Sequence, residues 1–160
     1  MARDRKNRPE RRWLTGLMHL VFRFTRPMTV GVRAVVLDAE RGVFLVRHTY
    51  VPGWHFPGGG VEVGETIAEA MAKELREEGN LVVRAPGVLH GVFFNRQVSK
   101  RDHVVVEVFR DVEQTAPFTG NAEIAEARFF PLDALPETIT RGTRRRLDEV
   151  LGGLRPPADW

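Results

Sequence analysis

The period of apolar and polar positions changes several times along the chain, and each change predicts an element. Over residues 28–37, Val30, Val32, Ala34 and Val36 alternate with Gly31, Arg33, Val35 and Leu37, so both faces are largely apolar. A strand of that kind belongs in the middle of a sheet with a layer on either side. A turn at DAERG leads to a second strand over 43–47. Further extended segments are predicted over 81–83, 87–95 and 103–110, with a short one over 127–130 that stops at Pro131. The polar stretches NRQVSKRD and 111–121 read as loops. A helix is expected over 139–151, its Arg144-Arg145-Arg146 run facing water, and the tail GGLRPPADW is expected to fray.

Helical period recurs twice more. Trp13, Leu14, Leu17, Leu20, Val21 and Phe24 form an amphipathic stripe after a polar, basic start that reads as disordered. A charged start before WLTGLMHLVF is superficially a secretory signal, but RFTRP follows in place of a small-residue cleavage site, so that reading is set aside. The helix then packs on the domain or on a second subunit, or rests on an anionic membrane or RNA. The expected organisation is a basic extension over 1–26, a catalytic domain over 27–151 and a tail over 152–160.

The other helical stretch carries the chemistry. Thr66 and Glu69 have the spacing of a capping box, and Gly79 and Asn80 are the residue types that end a helix in the left-handed conformation. With Glu74 set at 0°, Ile67 lies at about 20°, Met71 at about 60°, Glu77 at about −60° and Glu78 at about +40°. The outward arc falls to Glu69, Ala72, Lys73 and Arg76. Glu74, Glu77 and Glu78 therefore continue the apolar stripe. Carboxylates placed so cost roughly several kcal/mol each unless a cation compensates. A hard divalent cation, sharing oxygen ligands with a phosphorylated substrate, would do so. A solvated acidic surface is the plain alternative for LREE taken alone.

The glycine-rich loop ahead of this helix decides between them. GGGVEVGETIAEAMAKELREEGNL resembles the signature box of the Nudix hydrolases, Gly-x5-Glu-x7-Arg-Glu-U-x-Glu-Glu-x-Gly-U, where U is bulky aliphatic. Gly59, Glu65, Glu74, Leu75, Glu77, Glu78 and Leu81 match it, over 23 of the 160 residues. Lys73 stands in place of Arg and Asn80 in place of Gly. Lysine keeps the charge but loses the planar fork that grips a carboxylate such as Glu65 at two points, so a looser loop–helix junction is expected.

The resemblance implies an α/β fold, an α/β/α sandwich around a central mixed sheet. It also implies a metal-dependent pyrophosphohydrolase that cleaves a nucleoside diphosphate linked to another moiety and uses Mg²⁺ (or Mn²⁺). By the same resemblance Glu77 and Glu78 are the principal metal ligands, Glu74 a ligand or base, and the carbonyl of Gly58 or Gly59 a further oxygen. Gly59, Glu65 and Lys73 hold the loop to the helix. A loop glutamate ahead of the last strand, Glu123 in preference to Glu126, completes the site. A Nudix-fold module that binds a nucleotide without cleaving it is the alternative reading.

Composition narrows the rest. The absence of cysteine excludes disulfides and thiol chemistry, and fits a cytoplasmic protein. No apolar run reaches the ~18 residues of a membrane span. Residues 1–26 carry eight Arg or Lys against Asp4 and Glu10, a balance of +6, leaving −3 for the remainder of a chain whose net charge is +3. Arg47, Tyr50 and Trp54, around the loop HTYVPGWHF, are candidates for touching the substrate's base or sugar, with anchoring in the core as the alternative for Trp54. His48 and His55 suit an oxygen-loving ion poorly. Arg96, Lys100 and Arg101 could meet phosphates or form an ordinary solvated loop. The candidate substrates are ADP-ribose, nucleotide sugars, dinucleoside polyphosphates, oxidised nucleoside triphosphates and RNA 5′ ends. Thr138–Leu151 lacks the Asn or Gln expected for reading an oxidised purine, and the basic N-terminus is either an RNA contact or a homodimer arm.

Overall fold

The computed structural model describes residues 27–160 together with Met18, Val21 and Phe22, which are helical. Most of the expected N-terminal amphipathic helix therefore lies outside the described residues. The elements are β1 (Thr29–Asp38), β2 (Gly42–His48), α1 (Ile67–Gly79), β3 (Leu81–Val83), β4 (Val88–Phe94), β5 (Asp102–Phe109), β6 (Val112–Gln114), β7 (Ile124–Phe130) and α2 (Arg141–Gly152). Five strands form a sheet in the order β4-β5-β1-β2-β7, and β3 pairs with β6 in a second, two-stranded sheet. The β1–β5 pair is parallel and its neighbours antiparallel, so the main sheet is mixed. Among the described residues no helix is long and apolar enough to cross a membrane.

The doubly apolar pattern of β1 has the consequence it should. One face places Val32, Ala34 and Val36 with Phe44, Val46 and the α1 residues Ala70, Met71 and Leu75. The other places Val35 and Leu37 with Val43, Leu45, Trp54, Phe56, Phe93 and the α2 residue Leu147. The β1–β2 turn is closed by Asp38, whose carboxylate accepts the Glu40 and Arg41 N–H groups at 3.0 and 2.8 Å and pairs with the Arg41 side chain.

Thr66 caps α1 with both halves of the capping box in place, and Asn80 takes the left-handed conformation (φ 54°) at the other end. Gly79 is needed for a different reason. A Cβ there would lie 2.7 Å from the Phe44 ring, so the helix end packs on β2 only with glycine at that position.

Four expectations are corrected. Residues 111–121 are not all loop, because β6 pairs with β3 through Leu81↔Gln114 and Val83↔Val112. The last strand begins at Ile124, three residues earlier than expected, because 124 and 126–130 find partners on β2. The tail is not frayed: Phe94 N–H donates to the Ala158 carbonyl at 2.8 Å and Trp160 N–H to the Phe94 carbonyl at 3.1 Å. Arg146 does not face water. It falls on the same helical stripe as Thr143 and Leu147, is fully buried, pairs with Glu149 and lies 4.2 Å from the centre of the Phe93 ring. Arg144 and Arg145 alone are exposed.

Because Glu149 neutralises a buried guanidinium, Glu149→Ala is expected to lower unfolding stability in urea by about 3 kcal/mol. Replacing both partners together (Arg146→Met with Glu149→Leu) should cost much less.

Candidate active site

The site begins where β1 and β2 part. They share the pairs Leu37↔Val43 and Asp38↔Gly42. Further back along β1, the edge that β2 vacates is taken by the glycine loop. Ala34 N–H donates to the Pro57 carbonyl (2.9 Å), Val32 N–H to the Gly59 carbonyl (2.8 Å), and Val61 N–H to the Val30 carbonyl (2.8 Å). The other side of the wedge is tied to β2 by a reciprocal pair between Val46 and His55, both bonds 2.9 Å. Gly58 sits in this seam at φ +143°, and a Cβ there would lie 2.0 Å from the Val32 carbonyl oxygen. The position therefore demands glycine.

The last turns of α1 are drawn against this loop. Glu78 is buried, and its Oε2 accepts the Gly58 N–H at 2.7 Å. Glu74 is half-buried and lies directly against Gly59, where a Cβ would come within 2.3 Å of its Oε1. Glu77 stays 57 % exposed beside them. Lys73 is not on the solvent side as the helical wheel suggests. It folds under the loop, 3.0 Å from Glu65 and 3.5 Å from Glu62, while Glu65 also accepts the Glu62 N–H at 3.0 Å. The loop–helix clasp is thus made by one ammonium on two carboxylates, without a guanidinium fork.

These residues line a cleft of about 560 Å³ with Arg33, His48, Tyr50, His55 and Glu123. Glu123 is fixed at its rim. Its carboxylate accepts the Tyr50 hydroxyl at 3.0 Å, its carbonyl accepts Thr49 N–H, and its N–H donates to Asn121 Oδ1. Glu126 instead pairs with Arg47 at 2.9 Å, away from the cleft. Trp54 adopts its anchoring alternative: it is 5 % exposed and packs edge-on against Phe130, 4.7 Å between centroids. Of the three substrate-contact candidates, only Tyr50 reaches the cleft. Arg96 pairs with Asp159, and neither Lys100 nor Arg101 lines it.

Arg33 was missed in the sequence, where it is one polar residue in an apolar strand. Its guanidinium donates to the Gly58 carbonyl. With Lys73 it is one of two cations lining the cleft among the described residues.

Burial dominates the electrostatics. It pushes the Glu78 carboxyl up to about 8, against the Gly58 N–H and the Arg33 charge, which favour ionisation. Glu74 is raised by burial, and Glu77 adds to the shift. His48 and His55 are lowered, first by burial and also by Arg33. Tyr50 is raised because its hydroxyl serves Glu123. Among the described residues no three His, Asp or Glu side chains already stand close enough together to hold a metal ion. What the cleft gathers is an open set of hard oxygens: the Gly58 carbonyl and five carboxylates, of which Glu62 is engaged by Lys73 and Glu74, Glu77, Glu78 and Glu123 are not. That donor set fits a divalent cation such as Mg²⁺, which keeps positions for water and phosphate.

A NUDIX domain family model matches residues 27–150. The chain is 40% identical over 125 residues to a Bacillus subtilis (strain 168) protein provisionally named an 8-oxo-dGTP diphosphatase, covering 78% of this chain and 81% of that one. It is 30% identical over 105 residues to an ADP-ribose pyrophosphatase from Methanocaldococcus jannaschii, covering 64% and 62%. It is 33% identical over 98 residues to an RNA pyrophosphohydrolase from Xanthomonas axonopodis pv. citri, covering 57% and 48%. The chain thus spans about half to three-fifths of the length of the last two. Its fold is similar to that of a MutT NUDIX hydrolase from Burkholderia pseudomallei (TM-score 0.65, 22% identity, 78% of this chain and 98% of that one). It is also similar to a bifunctional NMN adenylyltransferase/ADP ribose pyrophosphatase from Francisella tularensis complexed with AMP and a manganese ion (TM-score 0.59, 19% identity, 90% and 47%).

The buried carboxyl has a measurable signature in metal-free protein. With its pKa raised from 4.5 to about 8, folded Glu78 keeps a proton that the unfolded chain gives up, so its contribution to stability falls as pH rises through that window. Glu78→Gln keeps an acceptor for Gly58 and removes the penalty. Denaturant unfolding is expected to find the variant equal to the parent near pH 4 and about 1–3 kcal/mol more stable above pH 8. Equal stability at both pH values would contradict the burial penalty.

Proposed function

The chain belongs to the NUDIX family, and from that premise we propose that it is a metal-dependent pyrophosphohydrolase acting on a nucleoside diphosphate linked to another moiety. The observation that carries this reading is the burial of Glu78 against the Gly58 N–H, in one cleft with Glu74, Glu77 and Glu123. A fold gains nothing in stability from gathering acids there. The arrangement makes sense when a cation and a diphosphate share the space.

In this reading Glu77, Glu78 and the Gly58 carbonyl would hold Mg²⁺ or Mn²⁺. The bound cation would supply charge compensation for the diphosphate and make an attacking water more acidic. Glu74, raised above its ordinary value by burial and lying against Gly59 in the same cleft, is suited to accept that water's proton. Glu123, steadied by Tyr50, serves as a further ligand or base at the rim. Glu65, Lys73 and Gly59 keep the loop and helix in register and touch no substrate. Phosphoryl transfer needs placement and charge more than a covalent nucleophile, in keeping with a chain that has no cysteine.

Charge in the cleft bears on the substrate. Lys73 is occupied by Glu65 and Glu62, so Arg33 is the cation best placed to serve a phosphate. That economy favours a short diphosphate, as in ADP-ribose or a nucleotide sugar, over an RNA 5′ end, which calls for a basic track along the backbone. The exposed Tyr50 ring, beside His48 and His55, is suited to stack on the base or sugar. Residues of α2 do not line the cleft, so reading of an oxidised purine from that helix gains no support.

A phosphate-release assay with Mg²⁺ over ADP-ribose, nucleotide sugars, dinucleoside polyphosphates, nucleoside triphosphates and triphosphorylated RNA tests the reading. Turnover of a diphosphate-linked nucleotide is expected, abolished by EDTA. Silence across the panel with retained nucleotide binding would favour a binding module instead. On the substrate so found, Glu77→Gln and Glu78→Gln should each lower kcat by on the order of 10²–10⁴-fold. Near-normal turnover in both would remove these carboxylates from the mechanism.

A further inference from the structure

The cleft contains a conflict that the proposed metal site leaves open. The Gly58 carbonyl, one of its oxygens, already accepts a hydrogen bond from the Arg33 guanidinium. That guanidinium also lines the same cleft as the carboxylates of Glu74, Glu77 and Glu78. In the metal-free protein it therefore does part of what a divalent cation would do: it caps the same carbonyl and offsets the same acids. Both cannot act there fully at once, because like charges repel by an amount that grows as solvent is excluded. An arginine side chain is long, stays charged and has a planar fork matched to phosphate oxygens, so it has somewhere useful to go.

Resting on the metal-dependent reading above, we propose that Arg33 is a movable counter-charge, its guanidinium holding the Gly58 carbonyl in the metal-free protein and leaving it on metal loading to grip the diphosphate of the substrate. The residue is thereby a positioning group that couples the two binding events. Metal uptake frees the arginine, and the freed arginine favours the substrate. The rest of β1 supports such a swing. The strand is pinned on both sides of Arg33 by the Val32–Gly59 and Ala34–Pro57 hydrogen bonds, so the side chain can leave without loosening the loop. Among the described residues no other cation lining the cleft could take its place, because Lys73 is held by Glu65 and Glu62.

The alternative is that Arg33 simply splints the glycine loop. The two accounts differ in sign. If Arg33 competes with the ion, Arg33→Gln should bind Mn²⁺ more tightly without substrate, by about 3–10-fold, as counted by the loss of the free Mn²⁺ electron paramagnetic resonance signal. If it only splints the loop, losing it should weaken Mn²⁺ binding. With substrate, the same variant is expected to raise KM by about tenfold or more with a smaller change in kcat. Arg33→Lys should restore Mn²⁺ affinity to near the parent's and KM in part. Arg33→Met is made alongside, so that a folding defect in one neutral variant leaves the other to read.

Equal or weaker Mn²⁺ binding by the neutral variants, with the parent binding normally, overturns the counter-charge role and leaves the metal site standing. A parent that takes up no Mn²⁺ at all overturns both.

Discussion

Everything in the site depends on how β1 and β2 separate. After two shared pairs the strands part, and the backbone of the glycine loop enters the gap and takes up β1's unpaired edge. A side chain on Gly58 would collide with the Val32 carbonyl, so the wedge exists only because the chain has no Cβ there. Once it is seated, the Gly58 N–H points at Glu78 and the Gly58 carbonyl at Arg33. One residue thus addresses an acid through its N–H and a base through its carbonyl.

That seam explains why an unfavourable arrangement persists. Burying Glu78 works against the fold, as its pKa of about 8 records. The surrounding structure can bear this because the two cores on either face of the sheet are independent of the cleft. One is closed by Met71 and Leu75 from α1 and the other by Leu147 from α2. Gly79 lets α1 press onto Phe44, while Lys73 and Glu65 fasten its other flank to the loop. The helix is held at several points that do not involve its acids, and the acids are left available for chemistry.

How much of this could be read in the sequence follows from the range of the forces concerned. The carboxylate helix was legible because capping, helical phase and the loop–helix spacing are all local. The centrality of β1 was legible because two apolar faces admit little else. Trp54 and Tyr50, four residues apart in one loop, could not be sorted, since their directions are set by Phe130 and Glu123, which lie far along the chain. Arg33 gave no signal, because its partner is a backbone carbonyl 25 residues away. The burial of Arg146 was available in its helical phase with Thr143 and Leu147, but the run of three arginines drew the reading toward solvent. The three residues of β6 are too few for any period, and the docked tail depends on Trp160 meeting the Phe93 ring, a contact across 67 residues.

The most direct test of the central claim is where a divalent cation settles on the intact protein. Mn²⁺ added in small amounts to ¹⁵N-labelled protein should selectively broaden the backbone amide signals of Gly58–Gly60, of the α1 turn carrying Glu74, Glu77 and Glu78, and of Glu123. Broadening spread evenly over the acidic surface, reaching Glu113 and Asp148 as strongly as Gly58, would mean that the cleft has no special hold on the ion.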